Sequence, residues 1–259
     1  MKTRIMTSNI WGDYFGNEVE GRDEQLFNIY KKYSPDVLGL QEMTKGWYAS
    51  PIWETLSAEY SFVGADIFSS ANYTPMLCKT EKFDLAEKGF LLFPETPDSS
   101  KSLTWAVLSD KESGKKAAFC NVHFMWKTGA EWDAIRVKNA ECTVLKMREL
   151  AAKYGCPAFA FGDMNCTVTQ PAFDYFRKEG IGDLFTADET AEKFTTEHGD
   201  PVRGADGKFH GKLLDEDFRS SIDHIVGIGE YSVKKYRLVY DADALDATDH
   251  TPVYADVEY

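Results

Sequence analysis

The chain has 259 residues, 43% hydrophobic and 27% charged, a length and balance that fit a globular protein with a large core and exclude a disordered or fibrous one. Its net charge of -13 argues against a protein that grips duplex nucleic acid through its phosphates, although a local basic patch or a bound metal can reverse the sign at one site. Five cysteines, an odd number with no Cys-x-x-Cys pair, suggest neither a disulfide framework nor a zinc knuckle.

The N-terminal MKTRIMTSNIWG lacks the apolar run of a signal peptide, and no segment reaches the length of a membrane span. A cytoplasmic location and no membrane partner are therefore expected. No linker, repeat or composition break divides the chain, so one domain over 1–259 is expected.

In chain order, TRIMTSNI alternates as a strand, RDEQLFNIYKKY (22–33) reads as a helix, and DVLGLQE (36–42) reads as a strand. GWYASPIWETLSAEY suggests a short helix broken at Pro51. Strands are expected near 60–64, 73–79, 103–110 and 116–123, the last two joined as a hairpin through DKESGKK (110–116). The clearest helix covers 131–153, where Val137, Ala140, Val144, Met147 and Ala151 recur at helical spacing before Gly155. A strand at 157–162, a helix at 171–178 and a long polar stretch from 182 to 220 follow. Strands near 221–228, 233–240 and 252–258 close the chain. Strands in runs with intervening helices point to a mixed α/β sandwich rather than a regular βαβ array.

Six segments deliver a polar or ionisable residue at or near a strand end. RIMTSN ends at Asn9, VLGLQE at Glu42, AAFCNVH at His123 and AFAFGDMN at Asp163 and Asn165; SSIDHI carries Asp223, and DATDHTPV carries Asp249 and His250. Each alone has an ordinary explanation as a turn, a helix start or a satisfied core histidine. Together they assemble a chemistry. Carboxylates and amide oxygens suit Mg²⁺ or Mn²⁺ rather than a thiolate zinc site, and a histidine beside a carboxylate suits acid–base work. The matching reaction is attack of water on phosphorus.

In their order and spacing, these motifs resemble the endonuclease/exonuclease/phosphatase superfamily, the deoxyribonuclease I-like proteins, from Thr7 to Val257. YTPMLCKTEKFDLAEKGFLLFPETPD and SLTWAVL are most similar to a bacterial branch related to the nocturnin/deadenylase-like group. The resemblance implies a four-layer α/β/β/α sandwich with its site where loops meet at one end of two packed sheets. It makes Glu42 the main metal ligand, with Asn9 near the metal or its waters and Asp249 supporting it. Asp163 would orient or deprotonate the attacking water or bind a second metal, and Asn165 would hold a phosphoryl oxygen. His123 would hydrogen-bond the phosphate. Asp223 would orient His250, which would stabilise the transition state or act as acid or base. One metal and two metals both fit.

Departures from the branch fall outside these positions. Met125 stands where Asp is common, Ser221 and His224 replace Arg and Tyr, and Thr248 replaces Ser. In GKFHGK (207–212), His210 and Lys212 are candidate phosphate or headgroup contacts, Lys212 standing where the branch has Phe. Arg136 is a further candidate for phosphate, and Trp11, Trp47 and Trp126 for stacking or lining a pocket. The leading expectation is a divalent-metal phosphoesterase, a monomer acting on a phosphorylated small molecule, monoester or diester. A nuclease for single-stranded RNA or DNA or abasic sites is the alternative, disfavoured by the acidic charge. A non-catalytic binding protein on this fold ranks third.

Overall fold

A computed structural model describes residues 1–64, 72–190, 198–213 and 221–259. In chain order the elements are β1 (Lys2–Asn9), α1 (Asp23–Tyr33), β2 (Val37–Gln41), α2 (Lys45–Tyr48), α3 (Ile52–Leu56), β3 (Tyr60–Val63), β4 (Met76–Lys79), β5 (Phe83–Leu92), β6 (Ser102–Asp110) and β7 (Lys116–His123). There follow α4 (Ala130–Tyr154), β8 (Ala158–Asp163), α5 (Pro171–Lys178), β9 (Gly182–Asp183), β10 (Gly199–Arg203), β11 (Phe209–Lys212), β12 (Asp223–Ile228), β13 (Ser232–Leu238), α6 (Ala242–Ala247) and β14 (Val253–Glu258).

Two six-stranded sheets form, in the orders β13-β14-β1-β2-β4-β3 and β5-β6-β7-β8-β12-β9. Strand alternation sorts their side chains into three apolar layers. Ile5, Val37, Phe119, Phe159, Phe161, Ile225 and Val253 meet between the sheets. The intervening residues face outward. Met6, Leu38 and Leu40 pack under α1, α2, α3 and α6; Cys120, Val122, Ala158 and Ala160 pack under α4 and α5. The result is the α/β/β/α sandwich of the deoxyribonuclease I-like fold.

Close approach of a facing sheet at one position and of a neighbouring strand at the other sets two glycines. A Cβ at Gly39 would lie 2.4 Å from the Phe161 ring and 2.6 Å from Asn121 Oδ1. Gly162, at φ +148°, would put a Cβ 1.9 Å from the Val122 carbonyl oxygen, so the Gly-Asp step ending β8 admits only glycine. Between these strands lies a buried polar ladder. Thr7 Oγ1 donates to Gln41 Oε1 (3.2 Å), Gln41 Nε2 to Asn121 Oδ1 (2.6 Å) and Asn121 Nδ2 to the Leu40 carbonyl (2.7 Å).

Several elements differ from the sequence expectation. The break at Pro51 produces two short helices, α2 and α3, rather than one. β5 carries no clean alternation because it is an edge strand, with a register shift between Leu85 and Glu87. The polar stretch 182–220 contains β9 and the β10–β11 hairpin, while 191–197 and 214–220 lie outside the described residues. The buried stripe of α4 is Arg136, Asn139, Ala140, Thr143, Val144, Met147 and Leu150. Val137 and Ala151 of the expected face are only half-buried, because the helix turns its polar Arg136 and Asn139 onto loop backbone, described below.

Candidate active site

The period of two explains why the site forms. With Ile5, Val37, Phe119, Phe161 and Ile225 between the sheets, residues an even number of positions away share that face: Asn9, His123, Asp163 and Asp223. β1 and β2 run parallel, as do β7 and β8, so their C-terminal ends emerge together. β12 runs antiparallel to β8 and begins there, with Asp223 opposite Asp163 and His123 opposite Asp163 on the other side. Glu42 follows β2 and would by alternation face outward. Its φ of +63° turns it back, and Trp11 (φ 53°) and Asn165 (φ 49°) make similar left-handed turns beside it. Three strained non-glycine residues at one strand-end cluster are a feature of functional sites.

Asp163 is the hub. Its Oδ2 accepts from Asn9 Nδ2 at 3.0 Å and lies 3.3 Å from His123 Nε2 and 4.0 Å from His250 Nε2; its Oδ1 accepts from the Asn165 amide at 2.8 Å. Burial opposes its ionisation, but His123, His250 and Lys101 outweigh burial and hold it well below the usual carboxylate range. Glu42 Oε1 accepts from Asn9 Nδ2 (3.3 Å) and Oε2 from the Gly12 amide (2.8 Å).

His250 Nδ1 lies 2.8 Å from Asp223 Oδ2. Burial disfavours its charge, yet Asp223, Asp249 and Asp163 hold it well above its ordinary pKa. Asp249 is pushed up to about 7, first by burial and then by Glu42 and Asp200, against the opposing charge of His250. Thr248 fastens the segment, its Oγ1 donating to the Asn9 carbonyl at 2.7 Å and accepting from the His250 amide at 3.2 Å. The structure thus brings together Asn9, Glu42, His123, Asp163, Asn165, Asp223, Asp249 and His250.

Other expected contacts lie elsewhere. Arg136 is 2% exposed. Its guanidinium donates to the carbonyls of Met125 and Lys127 and to Asp133, so it ties the loop after β7 to α4 instead of reaching for phosphate. His210 is exposed on the hairpin, with Nε2 3.0 Å from Asp206, and Lys212 is exposed beside it. The hairpin reaches the site region through backbone, Gly211 N donating to Asp246 and His198 N to the Asp249 carbonyl. Trp11 is half-buried with its ring 4.6 Å from the Arg22 guanidinium. Trp47 is fully buried in the core under the first sheet, whereas Trp126 is 54% exposed. His224 points to the outer side of β12, onto Phe173 and the Cys166 carbonyl.

Two residues escaped the sequence reading. Lys101, at 5% exposure, places Nζ 2.7 Å from His123 Nε2. Arg22 is fully buried and donates to the carbonyls of Ile10, Trp11, Glu18 and Ala247. Buried cations carry no local sequence signature. The one available clue to Lys101 was its place at the start of the strand that pairs with β7.

Among the described residues, no group of three or more His, Cys, Asp or Glu side chains is gathered to hold a metal unaided. The donors nevertheless fit a hard divalent cation. Glu42 and half-buried Asp249 repel each other, and Mg²⁺ is commonly held by one or two carboxylates with waters completing its shell.

These strand-end carboxylates, amides and histidines gather where the C-terminal ends of β1, β2, β7 and β8 emerge. The Endonuclease/Exonuclease/phosphatase family model matches residues 6–250, and the chain belongs to that family, whose members are hydrolases of phosphate esters. Solved structures share the fold. An endonuclease/exonuclease/phosphatase from Bacteroides vulgatus is 22% identical with a TM-score of 0.78, covering 100% of this chain and 99% of its own. A mannosyl-6-phosphatase from Bacteroides thetaiotaomicron is 22% identical with a TM-score of 0.76, over 99% and 100%. The catalytic domain of human nocturnin, with bound sulfate, is 16% identical with a TM-score of 0.73, over 99% and 94%. No curated protein matches the chain.

Proposed function

We propose that the protein is a divalent-metal-dependent phosphoesterase that hydrolyses a small or medium-sized phosphorylated metabolite by in-line attack of water. The observation that carries this is the bridging of Glu42 and Asp163 by Asn9, with His123 also on Asp163 and the Asp223–His250 pair opposite. Glu42, supported by Asn9 and Asp249, would hold Mg²⁺ or Mn²⁺, which supplies charge neutralisation at the phosphoryl group. Asp163, kept ionised, orients the water and takes its proton as the new O–P bond forms. Asn165 retains one amide hydrogen for a phosphoryl oxygen, the other serving the Phe124 carbonyl. His250, kept protonated and oriented by Asp223, gives its proton to the departing ester oxygen as the old P–O bond breaks. The mannosyl-6-phosphatase relative and the acidic net charge both support a small-molecule substrate.

The test is hydrolysis with Mg²⁺ or Mn²⁺ across p-nitrophenyl phosphate, bis-p-nitrophenyl phosphate, sugar and inositol phosphates, nucleotides and single-stranded oligonucleotides. Turnover of small esters, lowered ~10²-fold or more in Glu42→Ala and in His250→Asn, is the expected result. Cleavage confined to oligonucleotides would make the protein a nuclease, and no turnover of any ester would leave only a binding role.

A further inference from the structure

Lys101 is a buried ammonium in an unfinished environment. It has three N–H donors, yet among the described residues its one side-chain partner is His123, at 2.7 Å through Nε2 and 3.4 Å through Nδ1. A buried donor without an acceptor is costly, and a charged one more so. The residue is nevertheless built in firmly. Its amide donates to the Asp98 carbonyl and its carbonyl accepts from Phe93, while Asp98 Oδ1 accepts from the Ser100 amide and hydroxyl. Burial lowers its pKa, and Glu42, Asp163 and Asp98 offset only part of that loss. A second consequence falls on His123. Its Nε2 already faces Lys101 and Asp163, so the ammonium stands beside the nitrogen expected to contact phosphate.

We propose that Lys101 receives a terminal phosphoryl oxygen and thereby restricts the site to phosphomonoesters. This rests on the phosphoesterase reading above and narrows its substrate class. A phosphomonoester has three terminal oxygens, and the site offers three receivers: the Glu42 side with its cation, the free Asn165 amide hydrogen, and Lys101. A diester has only two terminal oxygens. Its third position carries a carbon arm, which would be pushed against an ammonium that is 5% exposed and would offer its N–H groups no acceptor. The dianionic charge of a monoester also matches a site that adds an ammonium to a divalent cation and an imidazolium.

The experiment compares wild type, Lys101→Met and Lys101→Arg on p-nitrophenyl phosphate and bis-p-nitrophenyl phosphate, with calorimetric titration of inorganic phosphate into each metal-loaded protein. Wild type is expected to favour the monoester. In Lys101→Met the monoester kcat/KM and the phosphate affinity fall together, by ~10- to ~100-fold, the diester kcat/KM falls by less so that the monoester-to-diester ratio drops, and Lys101→Arg recovers part of the loss. A monoester-to-diester ratio and phosphate affinity unchanged in Lys101→Met, or a wild-type preference for the diester, overturns the proposal and leaves phosphoesterase activity standing. Absence of turnover in wild type would instead overturn the phosphoesterase reading, and the phosphate titration would still decide whether Lys101 binds the anion.

Discussion

At His198 the chain buries an imidazole at 3% exposure. Nδ1 donates to the Gly199 carbonyl at 3.2 Å, and Nε2 has no hydrogen-bond partner among the described residues. Burial lowers its pKa from 6.5 to about 4, so the folded protein holds this ring neutral where the unfolded chain would protonate it. Between these two values the unfolded state binds more protons, and stability falls as the pH drops through that window. The His198 contribution is fully present above pH 6.5 and lost towards about 4. His198→Asn keeps a donor for Gly199 and removes the titration. Melting temperatures across this window should therefore decline more steeply in wild type than in the variant; parallel curves would remove His198 as the cause.

Among the elements, the loops beyond β1 and before β14 owe their shape to Arg22, which gathers carbonyls from Ile10, Trp11, Glu18 and Ala247. Arg22→Lys retains a charge but cannot span four acceptors, since an ammonium lacks the planar fork. A loss of about 3 kcal/mol is expected in denaturant unfolding, with lower kcat because Asn9 and Asp249 lie on the loosened segments. A variant as stable and active as wild type would show that the carbonyls find other partners. The strand tips were legible beforehand because alternation and residue type act locally: Phe159, Phe161 and Asp163 reveal their shared face in the sequence itself. Arg22 read only as the first residue of a helix, and Lys101 was not singled out, because their roles depend on partners supplied by distant segments. Arg136 was misplaced for the same reason, its partners being loop carbonyls. β5, β10 and β11 were missed because solvent-facing strands need not alternate cleanly.

For the whole molecule, the charge of -13 surrounds a site whose own cations, Lys101 and His250, are buried. Small anions can be drawn in by the local field, whereas a long polyanion must also approach the acidic exterior. Binding of a labelled single-stranded oligonucleotide, followed by anisotropy, should be weak with a shallow dependence on salt. A log–log slope corresponding to several neutralised phosphates would reveal a basic track and favour the nuclease alternative. No helix among the described residues is long and apolar enough to cross a membrane.

β1 lies inside its sheet, between β2 and β14, and Thr248 near the other end of the chain donates to Asn9 at its tip. One edge of β1 is therefore covered only after β14, far later in the sequence, has been made. Until then Ile5 and Met6 sit on a strand with one open edge, an arrangement prone to pairing with another chain. Folding is dominated by contacts between residues far apart in sequence, which makes it slow. Regain of activity should coincide with the final docking of β14, making turnover a late clock for folding and a chaperone's hold on β1 an advantage during translation.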